Sequence, residues 1–159
     1  SIVNGHFRVR PQDASKLRLP NNSPVIGVFG GTAEWIFIRD DVVSTTTSAA
    51  EKIVDRTAED IAAALWSDIR RIFHLEGEYS DTAWRIVKEK RATFAQTPED
   101  VRRRPKTKPG IASNLFLAGD WIDNGLPATI EGSLRSGRWA AQAVAQYHGQ
   151  KLPTPHGLR

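Results

Sequence analysis

Residues 114–141 read NLFLAGDWIDNGLPATIEGSLRSGRWAA, and the fold class turns on this stretch. Residues 114–118 form a short, continuous apolar run, the pattern of a strand buried on both faces. Gly119 then allows a tight turn, and residues 128–147 predict a helix of about 20 residues. Strand, glycine-rich turn and long helix make half of a βαβ unit. Gly132, Ser133, Ser136, Gly137, Ala140 and Ala141 give the helix a small-residue surface for close packing, while Ile130, Leu134, Val144 and Tyr147 supply bulk. Both surfaces are expected to be buried in an intact protein.

The same stretch carries the candidate chemistry. Asp120 stands at the carboxyl end of the expected strand, where open α/β sheets bind ligands, and a carboxylate there accepts hydrogen bonds from hydroxyl groups. Pro127 suits a first helical turn because its missing N–H would have no partner there. The amides of Ala128, Thr129 and Ile130 would then face an electron-rich ligand group. Glu131 already answers the helix dipole and would repel a phosphate dianion, so a neutral or delocalised ring fits better. The ordinary alternative is that Asp120 caps a turn and the glycines only serve packing.

Upstream the pattern changes to a small antiparallel sheet. Residues 1–9 alternate as a strand, and residues 11–23 form a polar loop. Residues 24–29, 34–39 and 42–47 are β-branched or aromatic runs separated by Gly30-Gly31 and Asp40-Asp41, as in a meander of hairpins. Thr57 with Asp60 three residues on marks a helix start. Ile61, Leu65, Ile69 and Phe73 follow at helical spacing, predicting an amphipathic helix over 58–75 that covers one sheet face. Residues 84–94 alternate as a further strand that ends in basic residues. Pro98, Pro105 and Pro109 punctuate a basic stretch with at most one helical turn. The class is therefore α+β, divided as residues 1–97, a basic proline-rich linker 98–113, a strand and helix in 114–148, and a tail 149–159 expected to fray.

Composition narrows the function. With 159 residues, 40% hydrophobic and 25% charged, the chain reads as one soluble domain or a piece of a larger one. No run approaches the roughly 18 residues of a membrane span, and no secretory leader opens it. Zero cysteines exclude disulfides and thiolate chemistry, and four scattered histidines argue against a metal site. No Met is present either, which favours a piece of a longer polypeptide. The net charge of +4 is uneven: residues 84–108 hold nine basic side chains against three acidic ones. That cluster is a solvated face, or else a surface for acidic lipid headgroups or another acidic partner. Nucleic-acid binding is not expected, since the run lacks interleaved aromatics and a recognition motif.

The 114–141 stretch resembles the C-terminal flavin-binding signature of the amine-oxidase and phytoene-desaturase superfamily, in which an apolar strand, Ala-Gly-Asp, a loop and a helix with Ser-Gly-Arg-x-Ala-Ala close over FAD. Gly119-Asp120-Trp121 followed by Gly125-Leu126-Pro127-Ala128-Thr129-Ile130-Glu131-Gly132 is similar to the squalene-associated FAD-dependent desaturases, the hydroxysqualene dehydroxylases of hopanoid synthesis. Arg91-Ala92-Thr93-Phe94, Glu34-Trp35-Ile36-Phe37 and the run from Ile2 to Phe7 extend the likeness over nearly the whole chain. Family members commonly have Thr where Ile122 stands, and Asp123-Asn124 also depart from their loop.

This resemblance implies a substrate-domain sheet with its covering helix, joined to the last strand and helix of a Rossmann-like FAD-binding domain. It places Gly119, Asp120 and Trp121, with Leu126, Pro127, Ala128, Thr129 and Ile130, at FAD: Asp120 near the ribityl or neighbouring hydroxyls, and Leu126 to Ile130 beside the isoalloxazine. No Gly-x-Gly-x-x-Gly fingerprint stands in the chain, so the resemblance implies a C-terminal fragment whose N-terminal FAD-binding half lies elsewhere. Such a fragment is expected to be inactive alone and to oligomerise or dissolve poorly through its open strand edge and apolar faces.

The implied activity is reductive dehydroxylation of hydroxysqualene to squalene, in a bacterial cytoplasm and peripheral to the inner membrane, with a long-chain isoprenoid as substrate. Phe7, Trp35 and Phe37 are candidates for lining its tunnel, against the ordinary alternative of sheet core. His6 is a candidate acid for loss of the hydroxyl, against a structural role, and no catalytic residue is assigned. Two other readings stay open: a carotenoid-type desaturase or other amine-oxidase relative, and a non-catalytic module that binds anionic membrane through residues 84–108.

Overall fold

The computed structural model describes residues 1–150, which divide into two units, residues 1–92 and the remainder from Thr93. The tail expected over 149–159 lies outside the described residues except for Gly149 and Gln150.

Alternating side chains in the first unit build five antiparallel strands: β1 (Ile2–Arg8), β2 (Val25–Gly27), β3 (Trp35–Arg39), β4 (Val42–Ser48) and β5 (Ala83–Glu89). Their order across the sheet is β2-β3-β4-β1-β5. The pairing of Phe7 with Val43 on one side and Trp84 on the other puts all three side chains on the same face. That inner face carries Val3, Phe7, Ile36 and Val43, all fully buried.

The expected amphipathic helix covers it. Helix α1 (Ala58–Phe73) begins where the Thr57 hydroxyl accepts from the Asp60 amide at 3.0 Å. It ends at His74, whose φ of 52° breaks the helical path. Ile61, Leu65 and Ile69 are fully buried, and Phe7 lies 5.5 Å from the Trp66 ring. Helix and sheet approach so closely that a Cβ on Gly5 would stand 2.7 Å from the Leu65 side chain, which is why β1 carries a glycine at its centre.

The edges fall short of the sequence pattern. β5 stops at Glu89 instead of continuing to residue 94, because its partner β1 begins at Ile2 and offers no further ladder. β2 keeps only Val25–Gly27, leaving Phe29 exposed.

In the second unit, Pro98 to Arg102 form the single short helix α2, capped by the Thr97 hydroxyl. The strand expected over 114–118 does not form. A strand needs a ladder, and the hydrogen bond from Leu117 N–H to the Thr107 carbonyl at 2.9 Å joins this run to a segment that is not a strand. The described residues therefore contain one antiparallel sheet and helices, without a Rossmann-like strand pairing. The long helix α3 (Ile130–Tyr147) is present and starts two residues later than expected. Its cap is Thr129, whose hydroxyl accepts from Gly132 N–H at 3.1 Å, so Pro127 precedes the helix instead of opening it.

Candidate functional site

Between residue 118 and α3 the chain makes a turn fixed by polar side chains. Gly119 has φ +147°, and a Cβ there would stand 2.3 Å from the indole nitrogen of Trp121, so only glycine fits. Its N–H donates to the Ser136 hydroxyl at 2.8 Å, and that hydroxyl donates to the Ser133 carbonyl at 2.7 Å. Ser136 is fully buried. The start of the turn is thereby tied to the second turn of α3.

Asn124 ties the middle. Its side-chain N–H donates to the Gly132 carbonyl at 2.9 Å, and its oxygen accepts from Leu126 N–H at 2.9 Å. The side chain is 1% exposed, and replacing it would leave the Leu126 N–H without its acceptor.

Arg104 spans the whole turn. Its guanidinium donates to the carbonyls of Leu126 at 2.7 Å and Asp120 at 2.8 Å, and to the Asn124 side-chain oxygen at 3.3 Å. A longer contact reaches the Trp121 carbonyl at 3.4 Å, and the guanidinium carbon lies 5.5 Å from the centre of the Phe94 ring. Counted by sequence as one more charge in a basic run, Arg104 is half-buried and satisfied by backbone.

The residues expected to bind a ligand form one continuous segment. Gly119, Asp120 and Trp121 lie in the turn, Leu126, Pro127 and Ala128 lead out of it, and Thr129 and Ile130 start α3. Asp120 uses its carbonyl on Arg104, while among the described residues no donor reaches its carboxylate. The Ile130 and Glu131 amides likewise have no acceptor among the described residues. The Ala128 and Thr129 amides also have no acceptor among the described residues, so the free amides run from Ala128 through the first turn of α3 to Glu131. Trp121 and Ile130 are exposed. A recess of about 760 Å³ borders the turn at Asn124 and Gly125 and is closed by Lys106, Lys108, Arg135 and Trp139, and none of the eight expected residues lines it.

The candidate tunnel residues separate between the two sheet faces. Trp35 and Phe37 are 48% and 43% exposed on the face turned away from α1. His6 shares that face, opposite Ser44, which in turn pairs with Phe37. The His6 Nδ1 lies 2.9 Å from the Ser44 hydroxyl. Phe7 points the other way and is fully buried against α1, so it belongs to the core and drops out of the lining set.

Residues 35–145 match the model of the flavin containing amine oxidoreductases. The chain belongs to that family. It is 41% identical over 149 residues to hydroxysqualene dehydroxylase of Zymomonas mobilis, covering 92% of this chain and 33% of that protein. It is 42% identical over 141 residues to hydroxysqualene dehydroxylase of Sinorhizobium fredii, covering 89% and 31%. A 15-cis-phytoene desaturase of Synechococcus elongatus is more distant, at 29% over 132 residues, with 78% and 28% covered. The chain spans about a third of the length of the curated relatives it matches.

Family membership implies a flavin, and the donor set at the turn fits one. An unpaired carboxylate suits sugar-alcohol hydroxyls, and the free amides at the start of α3 suit an electron-rich ring edge. Arg104, Asn124 and Ser136 were not legible as site residues. Asn124 lay among the positions that depart from the resembling family, and Ser136 read as one more small residue on α3.

Proposed function

We propose that this chain is the C-terminal part of an FAD-dependent oxidoreductase that acts on a long isoprenoid, removing the hydroxyl of hydroxysqualene reductively to give squalene. The observation that carries the proposal is the ranking of relatives: about 90% of the chain aligns at 41% and 42% identity with two hydroxysqualene dehydroxylases, against 29% with a phytoene desaturase.

In this reading residues 1–97 contribute to the substrate domain and residues 114–148 to the FAD-binding domain. Bound FAD would supply the electrons for reduction. Asp120 would accept hydrogen bonds from its ribityl or neighbouring hydroxyls, and the free amides at the start of α3 would meet an electron-rich edge of the ring. Gly119, Trp121 and residues 126–129 set the path of the chain past it. Trp35 and Phe37, exposed and apolar, form part of a wall that orients the isoprenoid and excludes water. His6, on the same face, would hold a proton near a departing hydroxyl.

The remaining two thirds of those relatives have no counterpart in this chain, so catalysis is assigned to the complete polypeptide and not to these residues alone. A lipid-soluble substrate would suit a cytoplasmic protein that works peripherally at the inner membrane.

The non-catalytic membrane module loses support from the basic run itself. Lys88 donates to the Arg56 carbonyl, Lys90 pairs with Asp55 at 2.6 Å, Arg103 pairs with Glu99 at 2.5 Å, and Arg104 is spent on the turn. Product analysis decides among the readings. The complete protein encoded by the gene, given reduced flavin, is expected to convert hydroxysqualene to squalene and to leave phytoene unchanged. Desaturation of phytoene would favour the carotenoid alternative, and salt-sensitive vesicle binding without either activity would favour the module.

A further inference from the structure

We propose that Arg104 is a positioning residue for the flavin site, holding the turn and the start of α3 in the geometry that meets the cofactor; this rests on the proposed flavin reading of residues 119–130. Four acceptors from residues 120, 121, 124 and 126 converge on one guanidinium. No other side chain among the described residues bonds to more than one of the carbonyls of this turn.

The geometry requires an arginine. Asp120 and Leu126 stand at opposite ends of the turn, and their carbonyls accept from different nitrogens of the planar fork, at 2.8 Å and 2.7 Å. A lysine ammonium is a point charge on a flexible stem and cannot hold two separated carbonyls in one plane. The guanidinium carbon also lies 5.5 Å from the centre of the Phe94 ring, within reach of a cation–π contact.

The consequence reaches both groups that would meet the ligand. By gripping its carbonyl, Arg104 sets where the Asp120 backbone lies, and thereby the origin of the free carboxylate. By gripping Leu126 and Asn124 it fixes the approach to Thr129, the residue that opens α3 and frees the Ile130 and Glu131 amides. The guanidinium also directs positive charge at the carbonyl oxygens of the turn, leaving the carboxylate of Asp120 and the helix amides as the groups available to a ligand.

The test uses the complete protein encoded by the gene, with Arg104→Ala, Arg104→Lys and the control Arg103→Ala. Arg103 is exposed and pairs with Glu99 without reaching the turn. FAD affinity is read by titration of apoprotein, together with the flavin visible band and its reduction potential. Loss of charged hydrogen bonds of this kind predicts a weakening of about ten- to a hundredfold for Arg104→Ala, with a shifted band and potential. Arg104→Lys is expected to lie between that variant and the wild type, and Arg103→Ala to match the wild type.

A purely structural Arg104 would lower the melting temperature while leaving band, potential and affinity of the folded fraction unchanged, and that result overturns the proposal. If Arg104→Ala does not fold, Arg104→Lys decides: wild-type affinity and band overturn the proposal, and weaker binding with a shifted band supports it. A wild-type protein that binds no FAD overturns the flavin reading itself and this inference with it, an outcome distinct from insensitivity to Arg104.

Discussion

The two units owe their internal order to different physics. In residues 1–92 the side chains of Val3, Phe7, Ile36, Val43, Ile61, Leu65 and Ile69 are all at most 1% exposed between sheet and helix. From Thr93 onward, Ile122 is the one large apolar side chain fully buried among the described residues, while Ile130, Leu134 and Tyr147 are 83%, 66% and 50% exposed. There the shape is fixed by Arg104, Asn124 and Ser136 hydrogen-bonding to backbone. The difference teaches that the sheet and its helix are held by apolar burial, whereas the turn before α3 is held by directed polar bonds that leave the Asp120 carboxylate and the first helix amides unpaired among the described residues.

The sharpest attack on this contrast is Leu65→Ala. It opens a cavity under β1 in the apolar unit and is expected to destabilise the protein by about 2–5 kcal/mol, read from the urea midpoint. A loss below about 1 kcal/mol would show that the helix does not depend on that contact.

Asn124→Ala attacks the polar unit. The Leu126 N–H loses its acceptor and the tie to the Gly132 carbonyl is cut, and a loss of about 1–3 kcal/mol is expected together with faster amide exchange at Leu126. Unchanged exchange there would mean the turn keeps its shape without Asn124.

A smaller effect comes from acid. The Asp13 carboxyl is held below its ordinary value of 3.8 by hydrogen bonds from Lys16 and then Arg10, against the opposing effect of burial. A depressed folded value means that the stabilisation is complete above the unfolded value and is lost as pH falls through the folded one. Asp13→Asn is therefore expected to lower stability at neutral pH and to flatten its decline below pH 3.8. An unaltered acid limb in urea titrations of the variant would assign that decline to other carboxyls.

The smallest effect is expected at Leu134→Gln, on an exposed part of α3. Stability is predicted to stay within about 0.5 kcal/mol, while self-association of the 159-residue chain weakens in sedimentation. A large loss of stability would show that this surface is already buried against something.

The sheet was legible because alternation over 2–8, 35–39 and 42–48 records its own burial, and the 61-65-69-73 spacing does the same for α1. Residues 114–118 carried an equally clear apolar signal and still formed no strand, because a ladder depends on a neighbour that composition does not supply. The turn at Gly119 and the Thr129 helix start could be read locally to within two residues. Arg104 could not, since nothing in a run of arginines distinguishes the one whose guanidinium folds back onto carbonyls 16 to 22 residues away.

The most direct test of the account is flavin retention by the complete protein and by Asp120→Ala. The wild type is expected to copurify with FAD in stoichiometric amount, released on denaturation, and Asp120→Ala to bind it about ten- to a hundredfold more weakly while still folded. A wild-type protein without flavin, or an Asp120→Ala protein that retains it fully, would contradict the placement of the cofactor at this turn.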